Sequence, residues 1–152
     1  MNTRFNIGFI GDRNVGKSRL IHGLISPNLE YYPYITIGSE LKTLTINGDK
    51  TINIWDCSCI INDLFKVINY FYIVCDCDNW DSIKNVNYYI NIISPKKYLI
   101  LINKSDKIGN KLYMEKINKY FIENHKDNFI FLNFNNNVKE ILLKSIRMLL
   151  NL

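Results

Sequence analysis

The segment Gly11-Asp12-Arg13-Asn14-Val15-Gly16-Lys17-Ser18 constrains this chain more than any other, because it fits G-x-x-x-x-G-K-[ST] between two segments of different periodicity. Before it, residues 4–10 alternate apolar and polar in the manner of a strand. After it, Lys17–Ile25 has the spacing of a helix, which Ser26-Pro27 ends. Strand, glycine loop and helix together make a phosphate cradle. The glycines let the backbone curl so that successive N–H groups, those of Asn14, Val15 and Gly16 among them, converge on phosphate oxygens. The following helix adds the positive end of its dipole. Lys17 would neutralise the outer phosphates and Ser18 would bind Mg2+ through its hydroxyl. The loop alone specifies a nucleoside triphosphate and leaves the base open.

The rest of the chain alternates strands with helices. Residues 40–46 and 50–55 flank Asn47-Gly48, a hairpin signal because both turn positions take positive φ. Residues 70–75 and 98–102 are short, continuously apolar runs, as in strands buried on both faces. Residues 82–93 carry Ile83, Val86, Ile90 and Ile93 at helical spacing, and 111–124 form a further helix. A last strand is expected over 129–134, and Val138, Ile141, Leu142, Ile146 and Leu149 line one face of a final helix. The pattern predicts an α/β fold in one domain over residues 1–152: a mostly parallel sheet with one antiparallel hairpin strand and helices on both faces.

Asn103-Lys104-Ser105-Asp106 supplies the base. It directly follows an apolar strand, at the sheet edge where open α/β sheets bind ligands. The Asp106 carboxylate can accept from guanine N1–H and the 2-amino group, donors that adenine lacks. A buried carboxylate left unpaired is costly, so the pair discriminates between bases. Asn103 would fix the base edge and neighbouring loops, and the aliphatic stem of Lys104 would cover the base plane.

With these motifs placed, the chain resembles the Ras-like small GTPases, and among them the Rab family, over essentially its whole length. Thr36-Ile37-Gly38 matches the first switch, with Thr36 lying 18 residues after Ser18 as in the family. Ile54-Trp55-Asp56 matches the strand that ends in the magnesium-associated aspartate, and Tyr89 falls where a tryptophan is common. The resemblance implies a P-loop G domain with strand order 2-3-1-4-5-6. It implies a Mg2+ site of Ser18, Thr36 and Asp56, with bound GTP or GDP. It also implies protein effectors or Rab regulators as partners, in signalling of the membrane-traffic type.

The chain departs from the family after Asp56, where Thr-Ala-Gly-Gln-Glu is expected and Cys57-Ser58-Cys59-Ile60-Ile61 stands. Cys59 replaces the glycine that meets the terminal phosphate. Ile60 replaces the glutamine that orients the attacking water, and isoleucine neither donates nor accepts a hydrogen bond. No residue is left in the catalytic position, so hydrolysis is expected to be very slow or absent. The interval from Asp56 to Asp76 is also several residues short, which predicts a stub of a second switch. By register the guanine-stacking aromatic falls on Leu29, with Tyr31 or Tyr32 as substitutes, and the third base-side motif falls near Asn135 and Asn136. Three functions follow: a nucleotide switch, a non-cycling module or decoy that sequesters Rab regulators or effectors, and a domain that binds no nucleotide.

Composition adds limits. The chain has 19 Lys and Arg against 14 Asp and Glu, a net charge of +5, but no basic run of the kind that binds nucleic acid. No apolar run is long enough to span a bilayer, so a cytoplasmic protein is expected, brought to membranes by a protein partner. The chain ends at Asn151-Leu152 with no prenylation cysteine, so no lipid anchor is expected. Cys57 and Cys59, and Cys75 and Cys77, have the ligand type for zinc, but the implied strand order puts another strand between the pairs; reduced structural thiols are expected instead. Leu143 and Leu150 lie off the last helix's apolar stripe and read equally as a partner or homodimer surface or as surplus apolarity of a core helix.

Overall fold

The structure is a computed structural model that describes residues 4–133 and 137–152. Its centre is β1 (Phe5–Ile10), which pairs in parallel with β3 (Lys50–Cys57) on one side and β4 (Tyr70–Asp76) on the other. β2 (Ser39–Ile46) closes one edge antiparallel to β3, while β5 (Lys97–Asn103) and β6 (Phe129–Phe131) extend the other edge in parallel. The order is β2-β3-β1-β4-β5-β6, as the family resemblance implied. The β2–β3 turn holds Asn47 at φ 55° and Gly48 at φ 81°, the conformation the Asn-Gly signal requires.

Strand alternation divides the core between the two faces. Ile7, Phe9, Tyr72 and Val74 point towards α1 (Lys17–Ile25) and α6 (Val138–Leu150), packing with Leu20, Leu24, Leu142 and Ile146. Ile10, Phe71, Ile73 and Cys75 point to the opposite face. There they meet α2 (Asn62–Val67), α3 (Trp80–Lys84), α4 (Val86–Ile93) and α5 (Lys111–His125) through Phe65, Ile83, Val86, Ile117 and Phe121. No helix among the described residues is long and apolar enough to cross a membrane.

Two local expectations change. The helix expected over 82–93 begins earlier, because Asn79 caps it by accepting from the Asp81 and Ser82 N–H groups, and it is divided at Asn85 into α3 and α4. Asn85 keeps φ −67° and ψ −12°, so the chain stays near-helical across the joint. The last strand spans three residues instead of the expected 129–134; Phe134, Asn135 and Asn136 lie outside the described residues. Leu143 and Leu150 are half-buried against the α1–α6 side of the core. The shortened segment after β3 folds as a turn and then the six-residue α2. All four cysteines are unpaired, with Cys57, Cys75 and Cys77 buried and Cys59 exposed; β1 lies between the strands that carry the two pairs. Burial pushes the Cys57 thiol up to about 12.

His125, at the end of α5, is buried among Tyr120 and Phe121, with ring centroids 6.2 and 5.5 Å away. Desolvation holds its pKa below the ordinary histidine value. The unfolded chain therefore takes up this proton first as pH falls, and stability is lost from about pH 6.5 downward through the folded-state pKa. His125→Phe, which suits the aromatic surroundings, is expected to flatten the fall in melting temperature between pH 7 and pH 5. Thermal unfolding across that range checks it; an unchanged slope would assign the acid sensitivity elsewhere.

Candidate nucleotide site

Parallel pairing brings the C-terminal ends of β1, β3, β4 and β5 to one edge of the sheet, and the sequence-predicted site residues collect there. Asp56 is opposite Phe9 in register, and Asp76 is opposite Asn103. From β1 the chain turns through residues 11–16 into α1, whose N-cap is Gly16 at φ 100°, a left-handed conformation suited to glycine. A Cβ on Gly16 would stand 2.4 Å from Asn103 Nδ2. The absent side chain is thus what allows the two loops to touch. Asn103 Nδ2 uses the contact to donate to the Val15 carbonyl at 2.9 Å.

Lys17 is buried at the head of α1, where its ammonium donates to the carbonyls of Gly11 at 2.9 Å and Asp12 at 2.8 Å. Desolvation lowers its pKa, opposed by the charges of Asp56 and Asp12. An ammonium has three N–H bonds, so one remains for a phosphate oxygen. Ser18, next in the helix, donates its hydroxyl hydrogen to Asp56 Oδ2. Thr36 reaches the same point from the segment between α1 and β2: its Oγ1 is 3.1 Å from Ser18 Oγ and donates to Asp56 Oδ2 at 3.3 Å.

This oxygen cluster fits a magnesium ion. Octahedral Mg2+ with bonds of 2.0–2.1 Å sets neighbouring ligands roughly 2.9 Å apart, close to the Ser18–Thr36 separation. Asp56 is 1% exposed, yet its Oδ1 has no hydrogen-bond partner. A buried carboxylate oxygen without a donor is expensive; an ion or an ion-bound water would satisfy it.

On the base side, Lys104 sits in the left-handed region at φ 63° and sends its ammonium back across the phosphate loop. It donates to the Asn14 carbonyl at 2.7 Å and pairs with Asp76 at 2.5 Å. Ser105 anchors the turn by donating, through both its N–H and its hydroxyl, to the Leu132 carbonyl at 3.1 Å. Asp106 follows in the single 3-10 turn Ser105–Lys107, with its carboxylate exposed at the same edge. The buried Oδ1 of Asn103 is a second acceptor with no partner.

Comparison with known proteins agrees with this geometry. The family model described as "50S ribosome-binding GTPase" matches residues 6–135. The Ras-related protein Rab-1D of Dictyostelium discoideum is 30% identical, with 94% of this chain and 78% of that protein covered. The Ras-related protein Rab-32D of the same organism is 27% identical over 93% of this chain and 72% of its own length. The chain belongs to the Rab family of Ras-like small GTPases. Family membership implies that it binds GTP.

The two switch segments of this Rab-type chain are in contact. The Gly38 carbonyl accepts from Ser58 N–H at 2.9 Å and from Ser58 Oγ at 2.7 Å, with Cys59 Sγ at 3.8 Å. In the first switch, Leu29 is 68% exposed while its carbonyl is 2.8 Å from His22 Nε2. Tyr31 packs on His22 and Tyr34, with centroids 5.3 and 6.4 Å apart, whereas Tyr32 stays exposed and donates to Glu30. Asn135 and Asn136, the third base-side candidates, lie outside the described residues.

Sequence reasoning missed four participants. Asp76 fixes the Lys104 ammonium, and Asp12 of the phosphate loop is held by Asn85 and Tyr89. Tyr89 reads in sequence as part of an apolar helix face, but its hydroxyl is a polar anchor. The one available signal was the acid at Asp12, charged like the phosphates beside which it must sit.

Gly16→Ala tests the loop packing. Strain at this φ, on the order of 1–3 kcal/mol, adds to the clash with Asn103. The variant is expected to lose stability by at least that order in denaturant unfolding and to bind fluorescent guanine nucleotide far more weakly than the parent.

Proposed function

We propose that this Rab-type chain binds GTP with Mg2+, cleaves it very slowly or not at all, and acts as a non-cycling module for a Rab effector or regulator. In this reading Asn14, Val15, Gly16 and Lys17 hold the phosphates, and Asn103, Lys104 and Asp106 read guanine. Leu29, Asn135 and Asn136 flank the base. Ser18, Thr36 and Asp56 hold the ion. The setting is the membrane-traffic type of signalling that Rab membership suggests, with recruitment to a membrane through a bound protein.

One observation carries the reading: the state of the segment after Asp56. Ile60 stands where a water-orienting glutamine is expected, and it is 41% exposed with an all-carbon side chain. Ser58 adds a hydroxyl bond to Gly38 that an alanine there would not make. The second switch is therefore tied to the first through a side chain as well as the backbone. Around this tie Ile35, Ile37 and Leu41 are exposed, Ile37 at 91%, which gives a partner an apolar face.

Ras-type proteins hydrolyse GTP at about 10⁻⁴ per second without an activating partner. Single-turnover hydrolysis by this chain is expected below that rate. Rebuilding the segment with Cys57→Thr, Ser58→Ala, Cys59→Gly and Ile60→Gln is expected to raise it. An ordinary intrinsic rate in the parent chain would sink the proposal.

Hydrogen exchange offers a second measurement. Protection of the segments around Gly38 and Ser58 is expected to be the same with GDP and GTP bound, and Ser58→Ala is expected to open a difference between the two. A large nucleotide-dependent change in the parent chain would instead show an ordinary switch.

A further inference from the structure

Asp12 is the single acidic residue within the phosphate loop, where a triphosphate concentrates like charge. Its main chain and side chain face different ways. The backbone carbonyl accepts from Lys17 Nζ at 2.8 Å, on the side where phosphate is expected. The carboxylate turns to the α3–α4 joint, where Asn85 Nδ2 donates to Oδ2 at 2.8 Å and Tyr89 Oη donates to Oδ1 at 2.9 Å. Each oxygen thus has its own neutral donor. The donors are four residues apart on near-helical chain, which sets them on one face. Burial and the neighbouring Asp12 push the Tyr89 phenol above its ordinary pKa, so it remains a proton donor at every physiological pH.

We propose that Asn85 and Tyr89 are positioning residues for nucleotide preference: they hold the Asp12 carboxylate away from the phosphates and from Lys17, and so favour GTP over GDP. The inference rests on the reading of residues 11–18 as a GTP cradle. Released from its two donors, the carboxylate competes with phosphate for the Lys17 ammonium and repels the additional charge of a triphosphate. Lys17 already feels the Asp12 charge where the carboxylate now stands. Two neutral donors therefore do what a cation could not do here, since a cation would itself be drawn to the phosphates.

The test uses the full chain, stripped of nucleotide, in Mg2+ buffer, with GTP and GDP titrated separately at low and high salt. Asn85→Ala with Tyr89→Phe is expected to weaken GTP on the order of threefold to tenfold more than GDP, as one extra charge near a freed carboxylate requires. The excess is expected to shrink at high salt. Adding Asp12→Asn, which keeps the shape and removes the charge, is expected to return the GTP-to-GDP ratio to the parent value. Equal losses for both nucleotides, or an excess that Asp12→Asn does not reverse, would reduce the contact to packing and overturn the proposal. If the double variant does not fold, Tyr89→Phe alone removes one oxygen from an intact ring and is read by the same ratio and the same rescue. A parent chain that binds neither nucleotide would overturn the cradle itself, a result distinct from a cradle that binds both with a ratio indifferent to the contact.

Discussion

Parallel pairing of β1 with β3 and β4, and of β4 with β5, is the constraint on which the site depends. Parallel strands run in one direction, so their C-terminal ends must share an edge. Register then decides which residues meet. Aligning Phe9 with Asp56 puts the candidate ion ligand beside the phosphate loop, and aligning Asp76 with Asn103 puts a carboxylate under Lys104. A one-residue slip would turn every side chain of a strand to the opposite face. The two-faced core forbids this, since Phe71 and Tyr72 pack on opposite sides with neither exposed.

At that edge the loops are held by side chains that cross between them. Asn103 reaches Val15, Lys104 reaches Asn14 and Asp76, and Ser18 and Thr36 meet at Asp56. The phosphate loop is thus braced from the base side, from the ion side and, through Asp12, from the α3–α4 joint. Two buried acceptors stay unpaired within this network, Asp56 Oδ1 and Asn103 Oδ1. Their positions fit a site completed by ligand, because a protein interior rarely leaves such atoms without a partner.

Much of this was legible in the sequence because the chemistry there is local. The phosphate loop needs eight contiguous residues and a strand–helix context, and the base motif needs four. The hairpin needs Asn47-Gly48, and the sheet order follows from the family resemblance those motifs support. What sequence did not yield depends on residues distant along the chain. Asp12 and Tyr89 are 77 residues apart, and nothing in a helical apolar pattern says that one member's hydroxyl will reach a loop. The split at Asn85 was hidden because the residue keeps near-helical angles and the apolar spacing continues across it. Leu143 and Leu150 were read as surplus to one face, but the core around α6 is wide enough to half-bury both.

In the proposed reading the chain keeps the parts of a small GTPase that hold a nucleotide and alters the part that acts on it. Lys17, Ser18, Thr36 and Asp56 meet at one end of the phosphate loop, while Ser58 and Cys59 contact the Gly38 carbonyl and Ile60 stands exposed beside them. Mass analysis of the nucleotide released from the purified chain, before and after magnesium is chelated, bears on this most directly. The account expects a guanine nucleotide in stoichiometric amount, retained with Mg2+ and lost on chelation. A chain that purifies without nucleotide and takes up neither GTP nor GDP, or one that carries an adenine nucleotide, would contradict it.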